Sequence, residues 1–160
     1  MYYLICFFLY AILGHGLEIF LFNKSGILLS YWTPIYGLGA VIIIFIYNFI
    51  NKKWSLSKVT KFFIIFLIGF LLLSFIEALG GYLIEYIFHI TFWDYSAYKF
   101  NIGKYIALEM ALIWGLCSIL LVCFLKPLTD KIIKYIPNWA IIILIFIFIW
   151  DIILTFIIKH

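Results

Sequence analysis

Residues 76–103 read IEALGGYLIEYIFHITFWDYSAYKFNIG. An apolar helical run carrying Glu77 and Glu85 passes into a turn at His89. A polar, aromatic loop follows, with Trp93-Asp94-Tyr95-Ser96 and then Asn101. The helical part belongs to a longer apolar run from about Phe62 to Phe88. A soluble helix would show a continuous polar face opposite its apolar stripe. This one has two isolated carboxylates instead, and the length to cross a hydrocarbon layer of about 30 Å.

The rest of the chain repeats that pattern. Hydrophobic residues make up 68% and charged residues 11% of the 160 residues, where a soluble domain carries about 25% charged residues. The fold class predicted is all-α: a polytopic helical bundle in a single transmembrane domain over residues 1–160. Its helices are expected near 2–22, 34–50, 62–88, 104–125 and 138–158, with the polar aromatic loop between the third and fourth. Pro34 and Pro137 set the starts of the second and fifth helices, since proline is tolerated only in a first turn. Pro127 is expected to end the fourth. Gly37 and Gly39 allow close packing or a re-entrant start to the second helix. The first helix is read as retained, because residues 1–22 lack a basic leader and a small-residue cleavage site.

Lysine sets the expected orientation. The 2–3 and 4–5 loops hold seven of the eleven lysines, and Lys24, Lys99, Lys104 and Lys159 hold the other positions. The lysine-rich loops are expected in the cytoplasm. The chain then lies in the cell membrane with its N-terminus cytoplasmic and its C-terminus outside. On that topology Glu18, Glu77, Glu85, Asp94, Glu109 and Asp151 all fall toward the outer side, and only Asp130 faces inward. An ionised carboxylate at mid-membrane costs about 2.5–3.5 kcal/mol, so such groups face a partner, a cation or water, or have raised pKa values and are in part protonated.

The residues expected to bind a ligand are therefore Glu18, Tyr36, Glu77, Glu85, Asp94 and Asn101. His15, Glu109 and Asp151 are candidates for a proton or cation site. Gly69, Glu77, Gly81 and Glu85 share a four-residue stripe, with Lys99 or Lys104 in range of Glu85 or Asp94. The competing structural reading makes the glycines packing surfaces and pairs the glutamates with lysine or tyrosine. His15 and Glu18 form a common H-x-x-E spacing, better read as an interhelical hydrogen bond than as metal ligation. Trp32, Trp54, Trp93 and Trp139 fit an interfacial aromatic belt. Asp94 and Ser96 fit a turn cap as well as a ligand contact.

Cys6, Cys117 and Cys123 lie in apolar runs without metal-ligand spacing and read as small hydrophobes. No zincin motif, nucleophile elbow or P-loop occurs in the sequence, so no metal, cofactor or catalytic residue is assigned. Arginine is absent, and the scattered lysines offer no nucleic-acid face.

The ordered set Phe8-Leu9-Tyr10 with Gly14 and Glu18, Thr33-Pro34-Ile35-Tyr36-Gly37-Leu38-Gly39, Glu77 with Gly81 and Glu85, Trp93-Asp94-Tyr95-Ser96, Phe100-Asn101 with Gly103, and Trp114-Gly115 carries a resemblance. The chain resembles the ABC-transporter type IV (CmpB-like) family of bacterial integral membrane proteins. His15, Ser30-Tyr31 and Ala111 depart from that family's usual Trp, Gly-Pro and Ser, and the fifth helix offers no matching motif. The resemblance implies an ABC-permease-like or substrate-capture subunit, with lipid and a separate ATPase or other membrane subunit as partners, or further copies of itself. Its cytoplasmic loops are short for gripping an ATPase alone. Two other readings stay open: an intramembrane enzyme acting on a lipid or lipid-linked substrate at the outer leaflet, and a structural or regulatory membrane partner.

Orientation is testable by single-cysteine labelling in a background lacking Cys6, Cys117 and Cys123. Ser55→Cys is expected to react only from the cytoplasmic side, and Ala97→Cys only from the outer side. The reverse pattern would overturn the topology.

Overall fold

In a computed structural model, which describes residues 1–22 and 26–159, five helices are long and apolar enough to cross a membrane. They are α1 (Tyr2–Phe22), α2 (Pro34–Lys53), α3 (Lys58–Phe88), α4 (Leu108–Tyr135) and α5 (Asn138–Lys159). A two-stranded antiparallel hairpin, β1 (Asn101–Ile102) and β2 (Ile106–Ala107), precedes α4. Large apolar side chains such as Phe20, Tyr86, Phe124 and Phe146 are exposed, as a lipid-facing surface requires. Lys24 and the rest of 23–25 lie outside the described residues.

Several boundaries differ from the sequence expectation. α3 starts at Lys58 because Ser57 caps it, its Oγ accepting the Thr60 N–H at 3.1 Å. At 31 residues it is about 46 Å long, so it tilts or projects beyond a bilayer core. His89 ends it in the left-handed region at φ 54°. Residues 104–107 form the end of the hairpin rather than the start of α4.

Pro127 does not stop α4. A π turn over Leu121–Leu125 comes just before it. Proline lacks an N–H for the carbonyl four residues back and collides with it. That carbonyl is Cys123, inside the π turn, where the Lys126 N–H bonds five residues back to the Leu121 carbonyl.

The chain forms two compact units, and α2 and α4 each run from one into the other. Unit 1 comprises Met1–Val41 and Leu128–His160. Its core is Phe8, Ala11 and Trp32, with Phe7, Leu28, Leu144, Ile145 and Phe148 around them. Trp32 is edge-on to Phe148 at 5.6 Å. It is buried, so the aromatic-belt reading fails for this residue.

Residues 26–33 are irregular and run against the middle of α1, where the Thr33 N–H donates to the Ala11 carbonyl at 3.0 Å. Non-helical backbone at membrane depth survives only where protein meets its polar groups. α5 supplies that protein. The Leu29 N–H donates to Thr155 Oγ1, and the Ser30 N–H to Asp151 Oδ2, each at 3.3 Å.

Unit 2 comprises Ile42–Pro127. Here α3 and α4 pack along a π turn over Gly69–Leu73. At 3.6 residues per turn, the eight residues from Gly69 to Glu77 advance about 80° past two full turns. One residue absorbed by the π turn reduces the offset to about 20°. Gly69, Glu77, Gly81 and Glu85 therefore do share a face, and each meets the segment from Lys104 to Ser118. Ser118 packs on Gly69, and the Tyr105 ring packs on Gly81.

A Cβ added at Gly81 would fall 2.6 Å from Tyr105 Cδ1, whereas one at Gly16 would meet nothing within 4 Å. Gly81→Val is expected to destabilise the purified protein by about 1–3 kcal/mol, read as a lowered thermal midpoint. Gly16→Ala is expected to leave the midpoint unchanged or raise it slightly.

Candidate functional site

The site is clearest in unit 2, where the two glutamates of α3 have unlike surroundings. Glu77 sits one turn beyond the π segment and is 7% exposed. Its Oε1 accepts the Tyr95 hydroxyl and its Oε2 the Trp114 indole N–H, both at 2.7 Å. Both donors are neutral, so they orient the carboxyl group without supplying a countercharge. Tyr95 reaches it from the loop, anchored there by its own N–H on the Lys104 carbonyl at 2.8 Å. Trp114 reaches it from the second turn of α4.

Two turns on, Glu85 forms an ion pair with Lys104. It also accepts the Tyr105 hydroxyl at 2.8 Å. Lys104 Nζ donates in addition to Thr91 Oγ1 at 2.7 Å. The expected lysine contact to Glu85 is thus made, by Lys104. That partner raises the Lys104 ammonium above its ordinary value.

Tyr105 separates the two carboxylates. It is 0% exposed and its ring lies on Gly81, midway between them in sequence. Tyr82 and Trp93 stand edge-on to it at 4.8 and 5.8 Å. Only a residue without a side chain at position 81 admits a ring there, and that is the physical role of this glycine.

The remaining unit 2 candidates fall into different settings. Asp94 is exposed and closes a turn by accepting the Ser96 N–H at 2.8 Å. Asn101 is exposed too, and its amide donates to the Gly103 carbonyl at 2.9 Å, which holds the hairpin turn where Gly103 takes φ 65°. Glu109 Oε2 and Trp93 Nε1 are buried without hydrogen-bond partners among the described residues.

The other candidates belong to unit 1. Asp151 is 4% exposed and accepts the Trp32 indole N–H at 2.6 Å besides the Ser30 N–H. It fixes the irregular segment rather than another helix. Glu18 accepts the Thr33 hydroxyl at 3.0 Å. Tyr36 packs its ring against Gly14. His15 is buried edge-on to Tyr31. The tyrosine and lysine partners of Glu77 and Glu85 are those of the competing structural reading, here Tyr95, Tyr105 and Lys104; the Trp114 indole is a partner the sequence did not suggest. Trp114-Gly115 was the available signal, an indole donor beside a glycine that admits Phe66. Among the described residues no three His, Cys, Asp or Glu side chains gather as a metal site would need.

A family model described as "Putative ABC-transporter type IV" matches residues 5–158. The chain belongs to that family. The match runs through both units and includes α5, where the sequence motifs were silent. No curated protein and no solved structure matches the chain.

The Asp94 turn gives a pH prediction. Hydrogen bonds from Ser96 hold the Asp94 carboxyl below its ordinary value. A carboxyl with a lowered folded value contributes stability above its unfolded value of about 3.9, and that contribution is lost as pH falls through the lower folded value. Hydrogen exchange at the Ser96 amide is expected to stay protected down to that pH and then rise. Asp94→Ala is expected to remove the protection at every pH.

Proposed function

We propose that this chain is the membrane-spanning subunit of an ABC-type transporter and takes a cationic or polar ligand at Glu77. Membership of the transporter family supports the transport part. The sequence holds no P-loop, so ATP hydrolysis falls to a separate subunit.

One observation carries the ligand part. Glu77 lies in a membrane-spanning helix, nearly buried, and its partners among the described residues are neutral donors. A charge left uncancelled at that depth is costly, and a bound cation offsets the cost. Tyr95 and Trp114 hold the carboxylate in one orientation, so little ordering is needed when the ligand arrives. Glu85 is unsuited to this role because Lys104 already neutralises it. The ion pair ties the loop after α3 to the helix below, which keeps Tyr95 in reach of Glu77. The orientation in the cell membrane, with the acids toward the outer side, belongs to the same proposal and makes the subunit one that receives its ligand from outside.

The test uses purified protein in nanodiscs and a panel of organic cations and polar solutes, read by thermal stabilisation. At least one compound is expected to stabilise the wild type. Glu77→Gln, which keeps the shape and removes the charge, is expected to weaken that compound by about tenfold or more. Glu85→Gln is expected to lower the thermal midpoint while changing the compound's affinity less. Full retention of the response in a folded Glu77→Gln variant would sink the assignment.

A further inference from the structure

Unit 1 holds a second arrangement, which the reading of Glu77 does not use. Ala11, His15 and Glu18 follow one another at spacings of four and three along α1 and so share a face. Thr33 bonds to both ends of that stripe. Its N–H donates to the Ala11 carbonyl and its hydroxyl to Glu18 Oε2, both at 3.0 Å. Helical side chains lean toward the N-terminus, so Glu18 reaches back over His15 to meet Thr33. The His15 imidazole is 4% exposed, with the Tyr31 ring perpendicular to it at 5.8 Å. His15 Nδ1 is buried and has no hydrogen-bond partner among the described residues. A buried polar atom in that condition calls for an occupant.

We propose that His15, Glu18 and Tyr31 form a binding site for a small ammonium group that carries N–H donors. The chemistry of His15 and Glu18 converges on that class. A neutral imidazole with its proton on Nε2 presents Nδ1 as an acceptor. The Glu18 carboxylate supplies a second acceptor and the opposite charge. Tyr31 is 78% exposed and packs beside the imidazole, so it marks the accessible side.

Tyr36 of α2 is packed on Gly14. Asp151 of α5 is engaged by Trp32 and Ser30. An anion would meet Glu18 directly. A transition metal would want more ligands than one imidazole and one carboxylate, and no third joins them among the described residues. An alkylammonium satisfies both acceptors with two of its own hydrogens.

A free amine and the head group of phosphatidylethanolamine share this chemistry, and the test separates them. Protein labelled with ¹⁵N-histidine is placed in phosphatidylcholine nanodiscs, whose head groups carry no N–H. The chain has three histidines, and His15→Phe identifies the ring signals of His15. Methylammonium chloride is titrated at constant pH and ionic strength, with tetramethylammonium as a cation of equal charge without N–H donors. The His15 signals are expected to move saturably with methylammonium, and about tenfold more weakly or less with tetramethylammonium. Glu18→Gln is expected to weaken the response by about tenfold.

Movement on adding phosphatidylethanolamine without free amine would assign the site to the lipid head group. Movement with methylammonium alone would assign it to a soluble amine. Unmoved His15 signals in both arms, equal response to the two cations, or an undiminished response in Glu18→Gln would each overturn the proposal. Glu77→Gln is expected to leave the His15 response intact, so failure of one reading is visible apart from the other. Loss of the response in that variant would assign it to Glu77 and overturn the site proposed here.

Discussion

A carboxylate inside a hydrocarbon layer has no water to turn to, so its hydrogen bonds come from the chain itself. That constraint is met in both units, although Glu109 Oε2 is buried without a hydrogen-bond partner among the described residues. In unit 1, Asp151 is met by an indole and a backbone N–H. In unit 2, Glu77 is met by a phenol and an indole, and Glu85 by a lysine and a phenol. The donors come from segments distant in sequence, so each acid pins a loop or an irregular stretch to a helix. The two glutamates of unit 2 differ in the charge of their partners. A carboxylate paired with lysine is neutralised as a unit, whereas one held by neutral donors has no countercharge from the chain.

The geometry depends on two π turns as much as on the acids. The turn at Gly69–Leu73 rotates the lower part of α3 so that Gly69 falls in line with Glu77, Gly81 and Glu85. The turn at Leu121–Leu125 lets α4 pass Pro127. Each is a local departure from the α ladder with a specific gain in alignment, in keeping with where such bulges occur. The glycines do the complementary work. At Gly81 and Gly115 the missing side chain is replaced by the rings of Tyr105 and Phe66, so the helices meet through interlocking aromatic and bare surfaces.

Much of this was legible in the residues. Long apolar runs, Pro34 and Pro137 placed the five helices, and a lysine opposite Glu85 was foreseeable from Lys104 standing just after the loop. The turn at Asp94 and Ser96 followed from their types. What was hidden depended on register and depth. No residue type announces a π turn, so the alignment of Gly69 with Glu77 rested on a four-residue spacing that an unbroken α-helix would not have kept. Trp32 looked interfacial because it neighbours a proline and a presumed loop; burial against Phe148 and Asp151 is a tertiary fact. The six acids expected on one side divide between the units, Glu18 and Asp151 in one and the others in the second, because chain order says little about which helices pack together.

The strap at residues 26–33 has a consequence for how the protein is made. Ser30 and Asp151 lie 121 positions apart in the chain, and Leu29 and Thr155 lie 126 apart. During synthesis α1 and the strap emerge early, yet the side chains that close the strap's amides emerge only with α5. Unit 2, contiguous in sequence, has all its partners long before that. Contacts this distant form late, so until the fifth helix arrives the Leu29 and Ser30 amides lack the partners they hold in the folded protein.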